Sequence, residues 1–173
     1  ILVTPSAIKR RVAALAAQLN ADYADKDMMV VAIVNGALIF TADLLRQLSI
    51  PLRLDCLRAS SYHDGTKAVG EPRIVDQMKL DVRDQHVLLV DDILDTGKTL
   101  AAVARLIKSK GATSVKTCVL LDKTARREVP FEADYVGFGI PNEFVVGYGL
   151  DFNERYRHLP CIGVLKPKYY GGK

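Results

Sequence analysis

Between His86 and Leu100 the chain reads HVLLVDDILDTGKTL, which brings three carboxylates, two threonine hydroxyls, a lysine and a glycine into fifteen residues. Val87 to Val90 form an apolar run that leads straight into Asp91 and Asp92. A short continuous apolar run is the pattern of a strand covered on both faces, and in open α/β sheets ligands bind outside the carboxyl ends of the strands. Asp91, Asp92 and Asp95 are therefore expected in a crevice. Consecutive residues on a strand end point to opposite sides, so this pair can accept hydrogen bonds from a diol or anchor hydrated Mg²⁺. Asp95 to Thr99, DTGKT, opens a helical pattern, where unpaired amides and the helix dipole favour phosphate. Gly97 lets the backbone come close to a ligand, and Lys98 adds charge. Carboxylates beside a phosphate cradle point to a phosphorylated sugar with a metal ion.

Two commoner phosphate motifs are excluded by spacing. A Walker A loop needs Gly five positions before the Gly of GKT, and that position holds Asp92. A DxDxT phosphotransfer motif needs a second carboxylate two positions after the first, but Ile93 follows Asp91 at that spacing and Leu94 follows Asp92.

The elements that must position these residues follow from periodicity. Thr4-Pro5 makes an N-cap and first helical position, and Ile8, Val12, Leu15 and Leu19 share one face of a helix running to about Leu19. Lys9, Arg10 and Arg11 are read as solvated surface on that helix. Met28 to Val34 reads as a buried strand, Asn35-Gly36 as a turn and Ala37 to Leu48 as a helix, a β-loop-α unit like that at Val87 to Lys110. Strands are also expected at Leu52 to Leu57, Val115 to Leu121, Asp134 to Phe138 and Cys161 to Leu165, with a strand-like run at Arg73 to Met78. Strands alternating with helices predict an α/β fold, a mainly parallel sheet with helices on both faces. The polar, Gly-punctuated stretch Ala59 to Gly70 does not fit a packed core, and loops of this length are often lids or binding loops. His63, within it, is read as a surface histidine.

Composition bounds the function. At 173 residues with 49% hydrophobic and 25% charged residues, one globular domain is expected. The longest strongly apolar run, Met28 to Val34, is far short of the roughly 20 residues that cross a bilayer. No signal peptide is read before the first helix, so a soluble, cytoplasmic protein is expected. The net charge of +4 suits anionic substrates, but no basic stripe with interleaved aromatics points to nucleic acid. Cys56, Cys118 and Cys161 are widely spaced and lie in apolar or alternating runs, so they are read as core thiols rather than zinc ligands or disulfides. The tail, Lys166 to Lys173, is expected to be partly disordered.

The stretch from His86 to Leu100 resembles the phosphoribosyl-diphosphate (PRPP) motif of the type I phosphoribosyltransferases: an apolar strand, two acidic residues, and a loop ending in TG before a small or hydroxyl residue. Lys98 departs slightly from that pattern, with the hydroxyl following at Thr99. Other landmarks resemble the hypoxanthine-guanine phosphoribosyltransferases over nearly the whole chain. They are Ser61-Tyr62 in the long loop, Leu120-Leu121-Asp122-Lys123, the segment DYVGFGIPNEFVVGYGLD from Asp134 to Asp151, and Asn153 to Arg157.

The resemblance implies a single type I phosphoribosyltransferase domain over residues 1–173, with a mobile catalytic loop at about 59–72 and a hood from about 1–15 and 140–173. It assigns PRPP to Asp91 through Thr99, Ile93, Leu94 and Thr96 included, and makes Asp95 the base that takes the purine N7 proton. The purine falls to Lys123, Phe144, Val145 and Asp151. Phe144 would stack, Val145 would offer backbone groups, and Lys123 would donate to a 6-oxo group and so disfavour adenine. Pyrophosphate falls to Asn35, Gly36, Ser61, Tyr62 and Arg157, and Mg²⁺ to Asp91, Asp92 and Asp151. Asn35 stands where many relatives carry a basic residue, often after a non-proline cis peptide. The implied reaction converts PRPP and hypoxanthine or guanine to IMP or GMP and pyrophosphate, in a dimer or tetramer. A xanthine-specific transferase stays open, and a PRPP-sensing nucleic-acid regulator is the reading from another class.

Overall fold

The structure, a computed structural model, describes residues 1–60, 63–64, 67–68, 73–74 and 78–169. In chain order the elements are α1 (Pro5–Asp22), β1 (Met28–Val34), α2 (Leu38–Leu45), β2 (Leu52–Ser60), β3 (His63–Asp64), β4 (Lys67–Ala68), β5 (Arg73–Ile74), β6 (His86–Leu94), α3 (Lys98–Ser109), β7 (Ser114–Asp122), β8 (Tyr135–Gly139), β9 (Val145–Val146) and β10 (Gly163–Val164). The main sheet has the order β5-β2-β1-β6-β7-β8. Its strands β2, β1, β6, β7 and β8 run parallel, and β5 pairs antiparallel with the end of β2 at the edge.

Strand alternation sends side chains to two cores. Met28, Val30, Leu88, Val90, Cys118 and Leu120 pack with Ile8, Val12, Leu15 and Leu19 of α1 and Phe40 and Leu44 of α2. Met29, Val31, Val87, Leu89 and Val119 face the other way, against Leu100, Val103 and Ile107 of α3. Helices α2 and α3, which follow the neighbouring strands β1 and β6, thus lie on opposite faces. The strands also part company at their ends: pairing of β1 with β6 stops at Ala32 and Val90, while β1 continues along β2 to Val34 and β6 along β7 to Leu94. A crevice at that topological switch point is the expected ligand site of such a sheet.

The helix at the start is capped as its sequence predicts: Thr4 Oγ1 accepts a 3.3 Å hydrogen bond from Ala7 N, and Pro5 opens the helix. Four readings need correction. Arg11 is not solvated surface: its guanidinium donates to the carbonyls of Gly137, at 2.8 Å, and Val136. Those groups lie on the outer edge strand β8, so Arg11 supplies donors that a neighbouring strand would otherwise have given. The Cys161 to Leu165 run does not join the parallel sheet: β10 pairs antiparallel with β9, beside a bridge between Val3 and Ile162. Cys118 is a core thiol, pushed up to about 12 by burial, but Cys56 is exposed on β2 and Cys161 is half-buried. Finally, α2 ends at Leu45 rather than Leu48.

Part of the long polar loop is ordered into the short antiparallel pair β3–β4. Ser61 and Tyr62, expected on a catalytic loop, lie outside the described residues, as do residues 170–173 of the tail. No described helix is long and apolar enough to cross a membrane.

The Arg11 clamp makes a direct prediction. Arg11→Met is expected to cost about 1–3 kcal/mol, because it removes charged donors from carbonyls on a part-buried edge. Lys9→Ala and Arg10→Ala, on exposed positions of the same helix, are expected to stay within about 0.5 kcal/mol. Urea denaturation midpoints measure all three, and an Arg11 variant indistinguishable from the other two would contradict the clamp.

Candidate active site

Strand β6 does not stop at the acidic pair but carries it within the ladder, since Asp91 pairs with Val119 and the strand continues to Leu94. Asp91 is only 8% exposed, and its Oδ1 accepts a 3.0 Å bond from Asp92 N. Burial and the neighbouring Asp92 carboxylate hold its pKa well above the usual range. Burial raises Asp92 as well, eased by hydrogen bonds and weakly by Arg157. The carboxylate of Asp92 lies against the β1–α2 turn, where a Cβ at Gly36 would sit 1.9 Å from Asp92 Oδ2. Any side chain there would displace the carboxylate. Asn35, preceded by a cis peptide after Val34, is exposed beside it.

The phosphate-cradle segment follows. Gly97, at φ +84, caps α3 from the left-handed region, and Lys98 N donates to Thr96 Oγ1 at 3.4 Å. The chain from Thr124 to Phe131 braces this loop. Glu128 N donates to Thr96 O at 2.9 Å, Lys98 pairs with Glu128, and Arg127 donates to Asp95 O at 2.8 Å while pairing with Asp122. Asp95 itself turns Oδ2 to Arg126 Nη1 at 3.1 Å. Its Oδ1 is buried and has no hydrogen-bond partner among the described residues.

Lys123 joins the same strand ends, its backbone N donating to Leu94 O at 2.9 Å. The residue is 5% exposed, and burial lowers the ammonium pKa, opposed by Asp95 and reinforced by Arg126. A desolvated ammonium within the field of Asp95 is suited to donating to a neutral carbonyl. Phe144, half-buried, meets Phe152 edge-to-face with centroids 5.7 Å apart, and Val145 is buried in β9.

Asp151 and Arg157 lie together on the remaining side. Arg157 Nη2 pairs with Asp151 Oδ1 at 2.9 Å and with Glu154, while Nη1 donates to Gly149 O at 2.8 Å. A Cβ at Gly149 would be 2.1 Å from Gly36 O, so this segment closes directly onto the turn that cradles Asp92. Tyr148 anchors it from behind through a 2.6 Å bond to Asp43 of α2.

Of the predicted residues, Gly36, Asp91, Asp92, Asp95, Lys123, Asp151 and Arg157 lie on adjoining segments, while Ser61 and Tyr62 fall outside the described residues. Among the described residues no three carboxylates, histidines or cysteines are grouped to hold a metal ion, so Asp91, Asp92 and Asp151 do not form a preformed three-ligand cluster. Asp151 is instead engaged by Arg157 and Glu154 N. Sequence reading missed Arg126, Arg127, Phe152 and the Tyr148–Asp43 bond. A basic pair four and five residues past Asp122 was a visible signal for the first two; the others depend on contacts distant in the chain.

Comparison with known proteins agrees with this geometry. The chain is 45% identical over 170 residues to a hypoxanthine-guanine phosphoribosyltransferase of Streptococcus pneumoniae, covering 98% of this chain and 94% of the relative. It is also 45% identical over 170 residues to the bifunctional protein TilS/HprT of Listeria innocua, but spans only 26% of that longer protein. A crystal structure of a hypoxanthine phosphoribosyltransferase from Staphylococcus aureus superposes with a TM-score of 0.94 at 42% identity, covering 99% of this chain and 94% of that one. The phosphoribosyl transferase domain family matches residues 2–153, a span that holds the acidic pair, the braced loop, Lys123 and the Phe144 to Asp151 segment, and the chain belongs to that family.

Proposed function

We propose that this chain is a hypoxanthine-guanine phosphoribosyltransferase of purine salvage, moving the 5-phosphoribosyl group from PRPP to N9 of hypoxanthine or guanine and releasing pyrophosphate. The observation that carries the reading is the meeting of three features at one switch point. They are an acidic pair of raised pKa with Asp91 buried, a carboxylate with one oxygen unpartnered among the described residues, and a buried lysine of lowered pKa.

Each group then has a task. The 5′-phosphate lies on the amides from Asp95 to Thr99 with Lys98, and the ribose hydroxyls lie near Asp91 and Asp92. Lys123 donates to the 6-oxo oxygen; adenine would turn an amine toward that donor, which disfavours it. Phe144 stacks on the ring and Val145 offers backbone groups to its edge. Asp95 accepts the N7 proton as N9 bonds to C1′ and the C1′–pyrophosphate bond breaks. Asn35, Gly36 and Arg157 face the pyrophosphate, and we assign Ser61 and Tyr62 to the same group, in the role of excluding water.

The donor set fits Mg²⁺, which is usually held by one or two carboxylates together with substrate phosphates rather than by an all-protein cage. Asp91 is buried and Asp92 half-buried, burial raises both carboxyls and the Asp92 charge raises Asp91 further, so a cation there is favoured. We assign them as the holders, with Asp151 available only if Arg157 lets it go. Mg²⁺ when bound would neutralise the leaving diphosphate. The antiparallel pair β9–β10, tied to the chain start at Val3, is assigned as the hood over the base. A cytoplasmic homodimer or homotetramer completes the proposal.

Mixing the protein with PRPP, Mg²⁺ and, separately, hypoxanthine, guanine, xanthine or adenine tests it. Mg²⁺-dependent nucleotide formation from hypoxanthine or guanine is expected; PRPP binding without turnover of any base would instead make the site a sensor. Asp95→Asn is expected to lower kcat roughly 10²–10⁴-fold with little change in PRPP KM. An unchanged kcat would remove Asp95 from the role of base. Lys123→Met is expected to lower kcat/KM for hypoxanthine by about 10- to 100-fold, the cost of one unmade charged hydrogen bond, and equal loss for adenine would contradict its role in selectivity.

A further inference from the structure

We infer that Arg126 is a positioning residue for the proton acceptor: it holds one oxygen of Asp95 so that the other is presented to the purine. The inference rests on the reading of Asp95 as general base. A carboxylate end is a soft torsion, free to turn among many angles unless something fixes it. In this site Asp95 is fixed at two points. Arg127 donates to its backbone carbonyl at 2.8 Å, and Arg126 Nη1 meets Oδ2 at 3.1 Å. What remains is Oδ1, buried and without a hydrogen-bond partner among the described residues. A buried acceptor left bare is costly, and a group held in that state is matched to a donor that arrives with the ligand. The N7–H of the purine is such a donor.

Two features separate this role from simple structural support. The Arg126 side chain is 39% exposed, so the core does not rest on it. The loop itself is braced by its neighbour Arg127, which is 17% exposed and pairs with Asp122. Arg126 therefore acts on the carboxylate and Arg127 on the backbone. The guanidinium of Arg126 also lies close enough to lower the pKa of Lys123, which puts the acceptor, its holder and the 6-oxo donor within one electrostatic neighbourhood. Fixing an acceptor within a narrow angular range matters because small misplacement of reacting groups is expensive in rate.

A double-mutant cycle on the chemical step tests this, read as single-turnover nucleotide formation so that product release does not mask it. Arg126→Gln is expected to slow the step about tenfold, with PRPP KM within about twofold of wild type and Arg126→Lys recovering part of the loss. In an Asp95→Asn background the same Arg126→Gln change is expected to alter the rate by less than about twofold, since there is no base left to position. Equal slowing in both backgrounds overturns the inference, as does a rise in PRPP KM without loss of rate, or a rate loss matched by a lost folded fraction in denaturation curves. If Asp95→Asn alone leaves the rate intact, the general-base reading falls and takes the inference with it; if Asp95→Asn is slow but the two changes multiply, the inference fails alone.

Discussion

Asp91 and Asp92 are two carboxyls set side by side, one buried and one half-buried, and the architecture around them is arranged to tolerate that. Moving a carboxylate into a dry site is costly, which raises both pKa values, and the Asp92 charge raises Asp91 further, while a hydrogen bond with Asp91 eases Asp92. Four described cations near the site are each paired with another carboxylate, and of these only Arg157 reaches Asp92 with its charge. Arg157 is committed to Asp151 and Glu154, Lys98 to Glu128, Arg126 to Asp95 and Arg127 to Asp122. A ligand bringing a divalent cation and hydroxyl donors would discharge the pair, and the proposed function draws on that imbalance in β6.

The strand bearing this imbalance depends on its covering. Residues 87–90 of β6 are wholly buried, alternating between the α1/α2 core and the α3 core, and that double burial is what lets a strand carry polar groups at its end in fixed positions. Two separate segments then close on it. From one side, Gly36 lies so close to the Asp92 carboxylate, and Gly149 to the Gly36 carbonyl, that neither has room for a Cβ, and Tyr148 ties this segment to α2 through Asp43. From the other, residues 124–131 lie along the phosphate loop and hand it Arg126 and Arg127. Lys123 precedes that second segment directly, so the proposed base and phosphate subsites share one support.

Elements with a strong local pattern were legible in the sequence. The apolar runs of β1 and β6, the amphipathic faces of α1 and α3, and the Thr4-Pro5 cap each need only a few neighbouring residues to declare themselves. The acidic pair and the DTGKT loop were legible for the same reason. Two-residue ladders such as β9 and β10 carry no periodicity, so the antiparallel pairing near the chain end was invisible. Arg11 looks like any helix-surface arginine until β8, more than a hundred residues on, supplies its carbonyls. Cys56 sits in an alternating run whose outer face happens to stay exposed beside the sheet edge. The pairing of Asp151 with Arg157, six residues on, was likewise hidden, since spacing alone does not say which partner a carboxylate takes.

The central claim is that the buried acidic pair is matched to PRPP with Mg²⁺. Isothermal titration of PRPP into the protein, with and without Mg²⁺, and into Asp91→Asn and Asp92→Asn variants, tests it most directly. Saturable binding that needs Mg²⁺ and weakens in both variants is the result the account predicts. Binding of equal strength without Mg²⁺, or unaffected by either substitution, would contradict it.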